Sequence, residues 1–159
     1  MYEDILSEWN PWWSKSYSYK GIKRIYLDEL KKLMSLKHII ALLGVRRAGK
    51  THMIYQLISE MISKKIDSSK ILFLKIDDLR IKQNLDHNKI SSIIEEYKML
   101  KNPKGKTYIF FDEIQELPNW QQYLKTLYDL NEDYKIIVTG SNAHMLKKDV
   151  SDYLTGRII

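Results

Sequence analysis

ALLGVRRAGKTHMIYQLI, residues 41–58, runs from an apolar stretch through a short basic loop into a second apolar-periodic segment, with glycines at 44 and 49 and a Lys-Thr pair at 50–51. Gly44, Val45, Arg46, Arg47, Ala48, Gly49, Lys50 and Thr51 satisfy GxxxxGK[ST], and the motif stands where it has meaning, after a predicted strand and before a predicted helix. Its glycines permit a backbone that turns successive N–H groups inward. A phosphate placed there meets a ring of donors and the positive end of a helix dipole. Lys50 is expected to reach the β- and γ-phosphates of a nucleotide, and Thr51 to offer its hydroxyl to Mg²⁺, a hard ion that prefers oxygen. Arg46 and Arg47 read equally as added charge near phosphate or as solvated loop arginines. His52 follows the pair at a place where it either approaches the nucleotide or lies on the surface.

Outward from this loop, strands and helices alternate. HIIALLG at 38–44 predicts a strand apolar on both faces, as a parallel sheet covered by helices requires. The spacing predicts a helix from about Lys50 to Ser63, then a strand at 70–77 and a helix starting near a cap at Asn88. Next come a strand at 106–113, a helix after Pro118 and Asn119, and a strand at 134–141. Upstream, Ile22, Tyr26, Leu30, Leu33 and Met34 predict a helix over 22–36. The pattern implies an α/β fold with a mainly parallel sheet and right-handed crossovers. We divide the chain into an N-terminal aromatic segment and helix, 1–37, packed on a phosphate-loop core, 38–159.

Cleaving a nucleotide needs more than holding it. YIFFDE ends the third strand with Asp112 and Glu113 after four apolar residues, about sixty residues beyond the loop. This is the Walker B pattern, in which the aspartate holds the metal and the glutamate polarises the attacking water. Ligand sites in open α/β sheets lie at the carboxyl ends of strands, which favours this over a solvated turn. The fourth strand ends in VTGSNAH. If it lies beside the loop strand, Thr139, Ser141 or Asn142 falls between Lys50 and Glu113, and Ser141 is the favoured sensor of the γ-phosphate, with Asn142 next. The alternative is a turn capping the following helix.

Composition sets the outer limits. The 159 residues suit one layered core, with 29% charged and 44% hydrophobic side chains. No cysteine is present, so a disulfide framework or thiolate metal site is excluded. The longest apolar run, Ile39–Leu43, is far too short to span a bilayer, and the acidic start lacks the basic region of a secretion signal; a cytoplasmic protein without a membrane partner is expected. The net charge is +6. Residues 38–80 carry eight basic and four acidic side chains, while 81–159 carry eleven of each, so much of the excess surrounds the loop. A DNA contact is compatible with this charge but not required by it. The histidines at 38, 87 and 144 show no metal-ligand spacing. Trp9, Trp12 and Trp13 beside Pro11 read first as packing of the N-terminal segment, with adenine stacking or partner docking as the alternative.

Taken together, GVRRAGKT, FFDEIQELPNWQQYLKTLYD, KIIVTGSNAHML, YLTGR and EWNPWW resemble a prokaryotic, often archaeal, ATPase family of the AAA+ superfamily, over nearly the whole chain. The resemblance implies a three-layer P-loop fold of the ASCE type with sheet order 5-1-4-3-2, and ATP or ADP with Mg²⁺ as cofactors. It assigns Arg157, in YLTGRII, the place of an arginine that reaches a neighbouring subunit's γ-phosphate in a homo-oligomer; a structural role for Arg157 is the alternative. It also implies a fifth strand beginning near Ile159 and a helical lid beyond it. On that basis weak hydrolysis is expected of these residues, with self-association through an open edge of the loop strand. The leading function is Mg²⁺-dependent ATP hydrolysis coupled to conformational change. A nucleotide-gated switch with little hydrolysis and a DNA-associated motor are the alternatives, and the protein partner is left open.

Overall fold

The computed structural model describes residues 1–141 and 153–159. In chain order the helices are α1 (Glu3–Trp9), α2 (Leu27–Leu33), α3 (Lys50–Ser63), α4 (Leu79–Lys82), α5 (His87–Lys101) and α6 (Trp120–Leu130). The strands are β1 (Ile40–Leu43), β2 (Ile71–Lys75), β3 (Thr107–Asp112) and β4 (Tyr134–Gly140). All strand pairs are parallel and the order is β1-β4-β3-β2. Beyond β1, Ile39 bridges Ile158 in parallel, and the amides of Ile39 and Ala41 donate to the carbonyls of Arg157 and Ile159. The 1-4-3-2 part of the expected order is thus present, and the edge of β1 expected to be open is met by an isolated bridge where the expected fifth strand would begin.

Strands β2, β3 and β4 bury both faces, as their apolar runs demand. Leu72, Phe73, Leu74, Ile109, Phe110, Phe111, Ile137 and Val138 are fully buried. Strand β1 is the exception, with Leu43, its last residue before the loop, 36% exposed.

The predicted helix over 22–36 is reduced to Leu27–Leu33, and residues 14–26 carry no helix or strand. Ile22 and Ile25 are each 90% exposed, so the periodic apolar residues there have no face to bury and nothing to hold a helix together. The cap of α5 is Asp86 and not Asn88: the Asp86 carboxylate accepts from the Lys89 amide at 2.8 Å. The short helices α1 and α4 were not apparent from periodicity.

The opposite edge of the sheet, β2, is covered by side chains. Asn10 donates through Nδ2 to the Phe73 carbonyl (3.0 Å) and accepts through Oδ1 from the Phe73 amide (2.7 Å), as a neighbouring strand would. The indole N–H groups of Trp12 and Trp13 both donate to the Ile71 carbonyl, at 3.2 and 3.0 Å. Trp9 and Trp12 are buried and Trp13 stacks on Tyr97, so the aromatic segment packs on the core. Pro11 sets the tight 3-10 turn that brings these groups to the edge.

Candidate functional site

The sheet order places the carboxyl ends of β1, β4 and β3 side by side: β3 ends in Asp112, β4 carries Thr139 next to its last residue, and β1 runs straight into the glycine-bearing loop. From β1, the chain enters the Gly44–Thr51 loop and then α3. Arg47 and Gly49 adopt left-handed backbones (φ 64° and 83°), which give the loop its sharp curvature; glycine does so without the steric cost that Arg47 bears. Lys50 begins α3, is buried, and donates from Nζ to the carbonyls of Gly44 (3.1 Å) and Val45 (2.9 Å), so the ammonium lies along the inside of the loop. Val45 is 74% exposed at its outer turn. Ala48 closes the turn by donating its amide to the Val45 carbonyl (3.3 Å).

One residue further, the Thr51 hydroxyl stands 3.0 Å from both carboxylate oxygens of Asp112, the last residue of β3. Asp112 also accepts from the Thr139 hydroxyl at 2.7 Å, so α3, β3 and β4 meet at one buried carboxylate. Burial pushes the Asp112 carboxyl up, the two threonine hydroxyls pull it back, and the nearby charges of Glu113 and Asp77 add to the rise; the net shift is upward. Asp77, just past β2, has a buried Oδ1 with no partner among the described residues.

Glu113 follows in a left-handed conformation (φ 55°, ψ 51°), a strained choice for a residue with a side chain. That turn aims its amide at the Thr139 hydroxyl (2.9 Å) and leaves its carboxylate accepting from the Ser141 hydroxyl and the Gln115 amide, both at 2.6 Å. Burial raises its carboxyl, but hydrogen bonds from Ser141 and Gln115 and the positive charges of Lys50 and Arg46 outweigh this, and the group is held below the ordinary carboxylate range. Arg46 therefore acts on the site at least through its field.

Lys50, Thr51, Asp112, Glu113, Thr139 and Ser141 thus converge, and an open cleft of about 390 Å³ is lined by Arg24, Arg47, Gly49, Lys50, Thr51, His52 and Glu113. His52 belongs to this cleft, where its Nδ1 is hydrogen-bonded to the Tyr19 hydroxyl. Asn142 lies outside the described residues. Arg157 stands elsewhere: its backbone pairs with Ile39 at the opposite end of β1, and its guanidinium donates to Asp129 at 2.8 and 3.2 Å. Three cleft-side residues escaped the sequence reading. Asp77 lies at the end of a segment legible only as an apolar strand, Gln115 in the stretch whose resemblance points to Asp112 and Glu113 alone, and Arg24 within the expected helix at 22–36.

The donor set around Thr51 and Asp112 suits a small hard cation. Both groups are oxygen donors whose contact a cation would replace, and among the described residues no cluster of three His, Cys, Asp or Glu offers a protein cage. A cation here would take its remaining ligands from water and phosphate, which is the habit of Mg²⁺.

A family model described as an AAA domain matches residues 36–159. The chain belongs to the AAA domain family. An uncharacterized protein of Methanocaldococcus jannaschii is 30% identical over 138 residues, covering 87% of this chain and 29% of the relative. An uncharacterized protein of Haemophilus influenzae is 30% identical over 135 residues, covering 84% and 33%. This AAA domain therefore spans about a third of those relatives, which come from an archaeon and a bacterium alike. The Walker-type ATPase of Pyrococcus abyssi superimposes with a TM-score of 0.56 at 16% identity, over 87% of this chain and 51% of that one. PCH-2 of C. elegans superimposes at 0.53 and 18% identity, over 80% and 38%. At such identities these two likenesses establish the P-loop ATPase fold of the AAA domain. No described helix is long and apolar enough to cross a membrane.

Proposed function

We propose that this AAA domain binds ATP and ADP with Mg²⁺ in the Gly44–Thr51 cup and hydrolyses ATP. The observation that carries the reading is the meeting of Thr51, Asp112 and Thr139 at 3.0 Å or less, one residue from Lys50 on one side and from Glu113 on the other. In this reading the loop amides and Lys50 bind the phosphates, and Thr51 and Asp112 hold the metal, which supplies charge neutralisation at the transferring phosphoryl group. Glu113, ionised at neutral pH as carboxylates ordinarily are, accepts a proton from the attacking water. Ser141 reports the γ-phosphate to Glu113, and Asn142 is proposed as its neighbour in that role. Hydrolysis is coupled to conformational change in a partner or in other parts of a longer protein.

Replacing Glu113 by Gln tests this. ATP affinity measured by calorimetry is expected to survive while single-turnover hydrolysis falls about a hundredfold or more. Equal turnover in the two proteins would leave Glu113 without a role.

A nucleotide-gated switch with little turnover is the second reading, favoured by one observation: Ser141 and Gln115 both occupy the Glu113 oxygen Oε2, which opposes its use as a base until they let go. In that case E113Q changes little. A homo-oligomer in which Arg157 releases Asp129 and reaches a neighbour's γ-phosphate is proposed from the family resemblance, and hydrolysis rising with protein concentration would support it. A DNA contact rests only on the charge excess, and its signature is an affinity that falls steeply with salt.

A further inference from the structure

Residues 14–26 form a strap between the aromatic segment and α2, and one face of α3 holds it down. His52, Gln56 and Ser59, spaced four and three residues apart, project from the same side of that helix. The Tyr19 amide donates to the Ser59 hydroxyl (3.0 Å), and the Tyr19 hydroxyl is bonded to His52. Gln56, itself buried, accepts from the Arg24 amide (3.2 Å) and donates to the Ile22 carbonyl, bracketing the two residues on either side of Lys23. The consequence is the position of the Arg24 guanidinium. A Cβ built on Gly49 would lie 2.5 Å from its terminal nitrogen and 2.8 Å from its central carbon, so the cation rests against the last glycine of the loop, one residue before Lys50. Among the described residues the Arg24 side chain has no hydrogen bond or ion pair, although the neighbouring Lys23 and Lys31 both engage Asp28. A fork of donors held against the loop and facing a cleft that contains Lys50 and Thr51 matches the oxygens of a phosphate chain.

We propose that Arg24 is a phosphate ligand of the bound nucleotide, carried to the loop by the strap, so that a di- or triphosphate ties the strap to α3. The proposal rests on the nucleotide-binding reading of the loop. A guanidinium that binds phosphate adds charge-assisted hydrogen bonds, and their loss is expected to weaken binding roughly tenfold to a hundredfold.

The test is calorimetric titration of ATP, ADP and inorganic tripolyphosphate into wild type, Arg24→Ala, Arg24→Lys and Lys50→Ala. Arg24→Ala is expected to lose affinity for all three by the same factor, with the melting temperature of the unliganded protein unchanged, and Arg24→Lys to recover part of the loss. ADP is expected to slow trypsin cleavage after Lys20 and Lys23 in wild type but not in Arg24→Ala. Wild-type affinity in Arg24→Ala, where Lys50→Ala has lost binding, overturns the role of Arg24 and leaves the loop reading intact. Absence of binding in wild type, or indifference to Lys50→Ala, removes the loop reading and this inference with it. Should Arg24→Ala fail to fold, a strap in the wild type that ADP leaves as sensitive to trypsin as before overturns the proposal by itself.

Discussion

Asp112 concentrates the physical conflict of this domain at one residue. It is a buried carboxylate with only hydroxyls for company and two further acids nearby, and its proton affinity rises accordingly. A carboxyl whose value in the folded protein exceeds its unfolded value, near 4, binds more protons folded than unfolded in the interval between them. Its stabilising contribution is complete below that interval and disappears as pH rises through the folded value. Asp112→Asn is therefore expected to stabilise the metal-free protein at pH 7 by roughly 1 kcal/mol while abolishing Mg²⁺-dependent hydrolysis. Urea denaturation should show this advantage growing from acid to neutral pH; a variant less stable than wild type at pH 7 contradicts the account. That Asp112, Glu113, Lys50 and Thr51 come together was legible because short spacings and the end of an apolar run mark them. Gln115 was not, since its role depends on Glu113 taking a left-handed turn that folds residue 115 back beside it.

At the level of elements, legibility followed burial. Helix α3 and strands β2, β3 and β4 matched their predicted positions within about two residues, because core-facing side chains enforce the period. The expected helix at 22–36 lost its first turns where Ile22 and Ile25 face solvent. What holds the remaining α2 in place was also invisible in the sequence: Lys135 of β4 reaches about a hundred residues back and donates to the carbonyls of Leu33 (3.2 Å), Leu36 (2.6 Å) and His38 (2.6 Å). Burial, with a small push from Lys106, lowers this amine to about 8, while three carbonyls at hydrogen-bonding distance favour the ammonium with its three donors. Lys135→Met keeps the stem but removes this donor from the Leu36 and His38 carbonyls and leaves the Leu33 carbonyl with the Leu36 amide alone. A loss of about 2–4 kcal/mol in chemical denaturation is expected, and a loss under about 0.5 kcal/mol would show the carbonyls to be satisfied otherwise.

Across the whole molecule, the two flanks of the sheet are finished differently. Residues 157–159 run beside β1 as chain, whereas β2 is finished by an amide and two indoles that imitate a strand. Removing the imitation leaves unpaired N–H and C=O groups on an apolar strand, the template for pairing with other molecules. The double variant Asn10→Ala with Trp12→Ala is expected to destabilise the domain by about 4 kcal/mol or more and to raise the oligomer fraction in light scattering at room temperature. A monodisperse variant would show that β2 needs no cover. The segment that supplies these groups is separated from Phe73 by 63 residues of chain. During synthesis at about 5–20 residues per second, Asn10 and the tryptophans therefore emerge on the order of 3–13 seconds before the backbone they match. Two indoles and an amide must wait through that interval with no edge to seal, so the stretch around Asn10 stays uncovered until β2 has followed it.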